Sequence, residues 1–184
     1  MLRLVIPPQE LFDEAKNEFL PGFEGKTIIM EHSLVSISKW EAKWHKSFFT
    51  TEEKTTEELL DYFYFMTITQ NVSRDIFNYL SVENVKQLTA YINDPMTATT
   101  INEHGRQHNN QVITSELIYS WMIELHIPVE FQKWHINRLL TLIRVRNIRE
   151  AQASGSGKKM SKGEILRQNK ALNDARRKKY NTRG

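Results

Sequence analysis

The sequence predicts a mainly α fold: a small helical domain with a central helical hairpin, a minor N-terminal β element and a flexible basic C-terminal helix. Apolar residues recur at spacings of three and four in several segments, which is the period of an amphipathic helix. They make up 40% of the 184 residues, enough to build a core. In addition, positively charged residues concentrate in the last part of the chain, which indicates a separate basic segment there.

The central helical hairpin is predicted for residues 113–149. Its first helix has apolar residues on one face, and Thr114 or Ser115 caps its N-terminus. Pro128 separates the two helices, since proline disfavours helix before it and suits the first position of a new one. Two adjoining apolar stripes indicate that the second helix is buried over more than half of its circumference, at the centre of the fold. The stripes are Phe131, Trp134, Leu142 and Val145, and Ile136, Leu139, Leu140 and Ile143.

Two β-like segments precede the helices. They are the short apolar runs at residues 2–6 and 26–30, and each adjoins a proline or a glycine. We therefore expect two strands that pair. A short helix is predicted from Leu11 to Leu20, ended by Pro21 and Gly22.

Further helices follow in order. Residues 33–48 have apolar positions spaced 3, 3, 4 and 4, typical of an amphipathic helix. The next helix starts at a cap formed by Thr55 or Thr56, with Leu59, Leu60, Phe63 and Met66 inside. Ser73 opens a short segment, and Ser81 caps a helix that stops at Asp94. Core positions rather than a partner-binding face are predicted for Trp40, Trp44, Trp121, Trp134 and Leu139.

The chain is predicted to divide into a helical body, 1–150, a flexible linker, 151–161, and a basic tail, 162–184, that is helical or disordered. Residues 158–184 hold ten Lys/Arg and two Asp/Glu, a net charge of +8, whereas residues 1–157 have a net charge of −5. Residues 96–111 are predicted to form an exposed, mobile loop.

The residue types exclude several kinds of chemistry. Cysteine is absent, which removes disulfides, thiolate metal sites and cysteine nucleophiles. We find no glycine-rich phosphate loop, nucleophile elbow or zinc signature, so we predict no catalytic residue, no cofactor and no enzyme. His104 and His108 have a metal-compatible spacing, but Gly105 disfavours the helix that they would need, and we predict no metal site.

The other polar residues are given structural interpretations. We expect His32, His45, His126 and His135 to be half-buried and hydrogen-bonded. The carboxylates cluster in the first turns of helices, where the helix dipole explains them.

The basic tail is the candidate binding element. It contains Lys159, Lys162, Ile165, Leu166, Arg167, Leu172, Arg176, Arg177, Lys178 and Lys179. Three interpretations stay open: nucleic-acid binding through phosphate neutralisation, a solvated tail without a partner, and a helix that docks on a protein. Because Tyr180 is its only aromatic residue, base stacking is not supported.

Five stretches together resemble one protein family. They are EHSLVSISKWE at 31–41, DPMTAT at 94–99, ITSELIY at 113–119, QKWHINRLLTLI at 132–143, and the tail from KMSK at 159–162 to LNDARR at 172–177. This set resembles the tail assembly chaperones of long-tailed bacteriophages, which are encoded next to the tape measure protein.

The resemblance implies a helical, non-enzymatic protein that binds the tape measure protein in the host cytoplasm during virion assembly, while the tail tube polymerises. The tail tube protein and a second copy of the chain are further candidate partners. Because the sequence has no run of 18 apolar residues, no membrane span is predicted. The alternatives are a structural tail component retained in the virion and a nucleic-acid-binding protein that acts through the basic tail.

Overall fold

The computed structural model describes residues 1–13, 17–101, 112–153 and 170. Within them the chain is mainly α, as predicted. The helices are α1 (Leu34–Trp44), α2 (Thr56–Met66), α3 (Val82–Asn93), α4 (Ser115–Glu124) and α5 (Ile136–Ala153). Two 3-10 helices, Arg74–Tyr79 and Val129–Lys133, precede α3 and α5. None of the helices in the described part of the chain has the length and hydropathy needed to cross a membrane.

The chain divides into two compact units within α5, Met1–Val145 and Arg146–Gly184. The first unit contains the elements from the N-terminus to the first turns of α5. In the second unit, the end of α5 carries an ion pair of Arg146 and Glu150, 4.0 Å apart and one helical turn apart in sequence.

The predicted strand pair is confirmed. Strand β1 (Leu2–Ile6) pairs antiparallel with β4 (Lys26–Met30), and Leu4 lies opposite Ile28. Alternate residues of both strands are buried in the core, so one face of this small sheet packs against the helices.

The predicted helix at residues 11–20 is wrong. The chain forms strands β2 (Gln9–Asp13) and β3 (Glu18–Phe23), which pair antiparallel with each other. Gly25 explains why a hairpin fits here: it has a φ of 82°, and a Cβ atom on it would lie 2.8 Å from the backbone nitrogen of Pro8. Because Pro8 and Gly25 lie this close together, the segment between them must return to its starting point. Two antiparallel strands do so, whereas a single helix does not.

Helix α1 lies at the centre of the fold. Leu34, Ile37 and Trp40 are completely or almost completely buried, and α1 packs against α2, α4 and the 3-10 helix Val129–Lys133. Ser33 caps its N-terminus through a reciprocal pair of hydrogen bonds with Ser36. The helix ends at Trp44 rather than at the predicted residue 48, because His45 adopts a left-handed conformation, φ 53°.

The prediction of a central second hairpin helix needs correction. Helix α5 begins at Ile136, eight residues after Pro128, because residues 129–133 form a 3-10 helix and Trp134 is extended. Its buried positions form one stripe, Ile136, Leu139 and Ile143, so it is not enclosed over half its circumference.

The remaining aromatic residues of the predicted stripes contact each other instead. The rings of Phe131 and Trp134 stack with centroids 4.0 Å apart, and the Arg138 guanidinium lies 4.1 Å from the Trp134 centroid. This stacking accommodates an indole outside the core.

Among the predicted core residues, Trp40 and Leu139 are confirmed as buried, whereas Trp44, Trp121 and Trp134 are partly buried. In α2, Leu59 faces solvent and Tyr62 takes an inside position. The capping residues are as predicted: Thr55, Ser73, Ser81 and Thr114 each accept a hydrogen bond from a backbone N–H of the helix that follows.

Two segments that the sequence predicts to be flexible lie partly within the described residues. Residues 96–101 form neither helix nor strand, and the rest of the predicted mobile loop, 102–111, lies outside the described residues. Residues 151–153, the start of the predicted linker, belong to α5, and its remainder lies outside the described residues.

The packing predicts which substitutions destabilise the protein. Ile37→Ala in α1 and Leu139→Ala in α5 each remove a buried side chain and should lower the free energy of unfolding by about 2–5 kcal/mol. The matched control is Ile123→Ala in α4, where the side chain is 76% exposed and the change should be within about 0.5 kcal/mol. Denaturant unfolding measures all three, and an unchanged midpoint for Leu139→Ala would contradict the packing of α5.

Candidate functional site

Polar side chains form a buried cluster where α1 and α5 begin. Its members come from four parts of the chain: Glu31, His32, Tyr62, Tyr91 and His135. Ser33 forms an isolated β-bridge with His135, and the N–H of Ile136 donates to the carbonyl of His32 at 2.7 Å. The turns that precede α1 and α5 therefore lie side by side, and we call this set the polar core.

The side chains of the polar core are connected to one another. The Tyr62 hydroxyl is hydrogen-bonded to Nδ1 of His32. The imidazole rings of His32 and His135 meet at 77°, with centroids 5.0 Å apart. Tyr91 packs its ring edge-on to His135 at 5.0 Å and donates its hydroxyl proton to Glu31. The chain of contacts thus runs from α2 through both imidazoles to α3 and the end of β4.

Hydrogen bonds fix the protonation state of His135. Its Nε2 lies 3.0 Å from the carbonyl oxygen of Tyr91, and its Nδ1 lies 3.3 Å from the backbone nitrogen of Asn137. A carbonyl only accepts and a backbone N–H only donates, so the ring is the neutral tautomer with its proton on Nε2. A second proton on Nδ1 would remove the bond from Asn137.

Burial favours the uncharged form of the histidines and tyrosines of the polar core, in agreement with the neutral tautomer of His135. Burial, with the neighbouring His135, lowers the pKa of His32 to about 3. Burial also lowers the pKa of His135, although the Tyr91 carbonyl and the charge of Glu31 oppose this shift. The pKa values of Tyr62 and Tyr91 are raised, mainly by burial. At neutral pH both imidazoles are therefore uncharged and both phenols protonated.

The polar core has the properties of a structural network. A general acid or base must come within hydrogen-bond distance of a substrate. All five residues here are at most 8% exposed, and their side chains bond to one another, to the backbone or, for Glu31, to the N-terminal amine of Met1 at 3.1 Å. A satisfied buried network of this kind specifies how the surrounding elements pack. We therefore assign the polar core to the joining of α1, α2, α3 and α5.

The prediction for the histidines is right for two residues and wrong for two. His32 and His135 are hydrogen-bonded and even more deeply buried than predicted. His45 and His126 are exposed, with φ of 53° and 52° at the ends of α1 and α4. Left-handed backbone at a helix end is a position that histidine tolerates better than most residues, so these two are helix-terminating residues.

Two buried carboxylates were not anticipated, since the helix dipole was expected to account for such groups. The oxygens of Asp61 lie 2.5 Å from Lys43 Nζ and 2.5 Å from Arg74 Nε, which join α1 and the 3-10 helix Arg74–Tyr79 to α2. Burial alone would raise the pKa of Asp61, but these two cations outweigh it and the net shift is downward. Glu41 accepts bonds from the N–H groups of Phe48, at 2.8 Å, and Ser115, at 2.7 Å, and so joins α1 to the start of α4.

A third buried carboxylate does fit the helix-end explanation. Glu58 accepts from the N–H of Thr55 in the cap of α2 and from Lys46 Nζ at 2.7 Å. The hydrogen bond from Lys46 is the main reason that the pKa of Glu58 is lowered.

The residues predicted to bind a partner lie outside the described residues. This holds for Lys159, Lys162, Ile165, Leu166, Arg167, Leu172, Arg176, Arg177, Lys178 and Lys179, and also for His104 and His108. Among the residues that the structure does describe, no group of three or more His, Asp or Glu side chains could hold a metal ion.

Two surface features of the body are candidates for binding. The outer face of α3 carries Val82, 75% exposed, and Val85, 43% exposed, beside Lys86, Thr89 and Ala90. These residues line a shallow, mostly apolar depression of about 520 Å³, which we call the α3 face.

The second feature is a groove of about 610 Å³ between α1 and the turn that follows α2. It is lined by Lys39, the aromatic residues Tyr64 and Phe65, and the turn residues 67–72. We call it the Lys39 groove. Its lining combines hydroxyl and amide side chains with apolar ones, in contrast to the mostly aliphatic α3 face.

Comparison of the chain with models of protein families, with curated protein sequences and with solved structures gives no match.

Sequence reasoning missed the polar core because its partners are far apart in the chain. Tyr62 and His32 are separated by 30 residues, and His135 and Tyr91 by 44. The sequence does contain one local signal: both histidines immediately precede a helix start. That signal gives no indication of which two helix starts lie together.

The polar core predicts a loss of stability in acid. Between about pH 6.5 and pH 3 the unfolded chain binds a proton on His32 that the folded protein does not, so the free energy of unfolding falls as the pH falls. For this one proton the slope should approach about 1.4 kcal/mol per pH unit. The titratable groups around this site are the N-terminal amine of Met1, Glu31, Tyr62, Tyr91, His135 and Asp94.

The variant that isolates this effect is His32→Asn, which keeps a polar atom near Nδ1 but does not titrate. Its free energy of unfolding, measured by urea denaturation between pH 7.5 and pH 5, should depend less steeply on pH than that of the unchanged protein. His45→Asn alters an exposed histidine and should keep the full slope. Equal slopes for His32→Asn and the unchanged protein would show that His32 is not the titrating group.

Proposed function

We propose that this chain is a tail assembly chaperone of a long-tailed bacteriophage. It has no catalytic role and acts in the host cytoplasm, where it binds the tape measure protein and shields it while the tail tube polymerises. One observation carries the proposal: the separate sequence stretches that resemble the family, as far as they are described, contact one another in the fold.

Three hydrogen bonds join these stretches. Ile136 N–H, in stretch 132–143, donates to the His32 carbonyl, in stretch 31–41, at 2.7 Å. Ser115 N–H, in stretch 113–119, donates to Glu41 at 2.7 Å. The Asn137 amide donates to the carbonyl of Asp94, in stretch 94–99, at 2.8 Å. Chance similarities would be scattered over the structure, whereas stretches bonded to one another are those that a shared fold requires.

The α3 face supplies chemistry that this function needs. The resemblance implies a partner with long apolar helical surfaces, which must be covered until the tail tube encloses them. A stripe of exposed aliphatic and small side chains on a helix allows a second helix to pack closely against it. Val82, Val85 and Ala90 provide such a stripe, and we assign it to the tape measure protein.

The basic tail supplies a second contact. Its sequence combines apolar positions such as Ile165 and Leu172 with a net charge of +8. Two weak contacts on one chain bind one long partner more tightly than either contact alone. The chaperone thereby holds its partner without a large permanent interface, as a protein that leaves the finished tail must.

The first prediction concerns the partner. Co-expression with the tape measure protein of the same genome should yield a soluble complex, and the 1–153 fragment should recover far less of it. The fragment itself should unfold at the same temperature as the full chain, which thermal denaturation checks. A tape measure protein that stays insoluble would contradict the chaperone function. In that case, mass spectrometry of purified particles tests the alternative of a structural tail component.

The second prediction concerns the α3 face. Val85→Asp places a charge on the aliphatic stripe and should reduce the recovered complex about tenfold, since an unpaired charge in an apolar contact costs more than 1.4 kcal/mol. The matched control is Ile123→Asp, which changes an exposed aliphatic residue on α4. Both variants should unfold at the temperature of the unchanged protein. Equal losses for the two variants would contradict the assignment of α3.

A further inference from the structure

We propose that the Lys39 groove binds a segment of a partner protein in which acidic residues flank an aliphatic one. The proposal is independent of the chaperone function, because it depends on a different surface and on different chemistry.

The charge of the groove differs from that of the body. Lys39 lines the groove, is exposed, and has no ion-pair partner among the described residues. Lys26 Nζ donates to the carbonyl of Asn71, another lining residue, at 3.1 Å and adds a second cation to this end. None of the described residues that line the groove is acidic, although residues 1–157 together have a net charge of −5. The groove is therefore a positive site on an acidic body, which favours a partner with carboxylates.

The apolar side chains beside the groove select the rest of the partner. Ile68, a lining residue, is 47% exposed, and its N–H donates to the carbonyl of Ile29 on β4 at 2.8 Å. Ile29 is itself 43% exposed on the outer face of the sheet. Two aliphatic residues on adjacent backbone segments, next to the exposed ring of Tyr64, form a contact for one aliphatic side chain of the partner.

Hydrogen bonds fix the turn that lines the groove to β4 and to the end of α2. Ile29 N–H donates to the Thr69 hydroxyl at 2.8 Å, and the Thr67 hydroxyl donates to the carbonyl of Phe63 at 3.1 Å. Asn71 adopts the left-handed conformation, φ 55°, that closes the turn. Because the lining residues are already fixed, a bound segment loses mainly its own conformational freedom.

The same observations favour a peptide over a nucleic acid. Nucleic-acid sites combine a row of cations along the backbone with several rings for base stacking. The described lining residues of the groove include one lysine, Lys39, and no arginine, and Lys26 adds a second cation at its edge. Its apolar contact is an aliphatic pair rather than a row of exposed rings. Isolated cations beside an aliphatic contact match a short acidic peptide instead.

The test uses the full chain, labelled with ¹⁵N, and a short synthetic peptide of alternating glutamate and leucine. The basic tail also attracts acidic peptides, so binding is measured from the chemical shifts of the amides of residues 67–72. We expect saturable shifts of these amides and a Kd that rises about tenfold in Lys39→Glu. Lys133→Glu makes the same charge change at an exposed lysine of the 3-10 helix Val129–Lys133, outside the groove, and should leave this Kd unchanged.

Three outcomes would overturn the proposal. The first is shifts confined to the tail amides. The second is equal binding of a peptide of alternating glutamine and leucine, which lacks the carboxylates. The third is saturable shifts of the groove amides by an oligothymidylate, with a steep loss of affinity in salt and no response to the acidic peptide. This last result would assign the groove to nucleic acid.

Discussion

The fold depends on the hydrogen-bonded contact between two turns, the one before α1 and the one before α5. The bond from Ile136 to the His32 carbonyl and the bridge of Ser33 with His135 join segments about a hundred residues apart in sequence. Loop closure over that length is entropically costly, so the contact must be reinforced by burial. The polar core provides that reinforcement, because its side chains have their hydrogen-bond partners only when all the surrounding helices are in place.

A second set of buried polar groups gives α2 its position. Asp61 and Glu58 lie on the buried side of this helix, yet each meets a lysine or arginine that reaches in from a neighbouring element. Removing one member of such a set leaves a buried charge unpaired, which costs far more than the pair contributes. Helix α2 is therefore specified by charge as well as by packing, whereas β1, β4 and the buried stripe of α5 meet the core through apolar side chains.

Local signals in the sequence predicted what local physics determines. The serine and threonine caps and the amphipathic face of α1 each follow from residues within a few helical turns of each other, and each strand follows from its own short apolar run. Leu11 to Leu20 was predicted as a helix ended by Pro21 and Gly22, whereas contacts between distant residues, such as the close approach of Gly25 to Pro8, favour the hairpin. In the same way, no local pattern indicates that residues 129–133 form a 3-10 helix and turn Trp134 out of the core.

The surfaces were less predictable than the core, for a related reason. The Lys39 groove brings residues of α1 together with the turn after α2, and its charge emerges only because the acidic residues of the body lie elsewhere. The α3 face was not predicted because its apolar residues suggest burial rather than exposure. Val82 and Val85 have the composition of core residues, and their exposure becomes evident only when Leu88 and Tyr91 occupy the buried side of the same helix.

The contact of Gly25 with Pro8 has an evolutionary consequence. The hairpin of β2 and β3 leaves the sheet at Pro8 and returns at Gly25, two positions that already touch. Residues between two touching points can be added or removed in pairs across the hairpin without stretching β1 or β4, at a small entropic cost. The length of the hairpin is therefore free to diverge between related proteins, whereas its base is constrained by Gly25, by the hydrogen bond of Gln9 to the Tyr79 carbonyl and by the stacking of Phe23 on Tyr79.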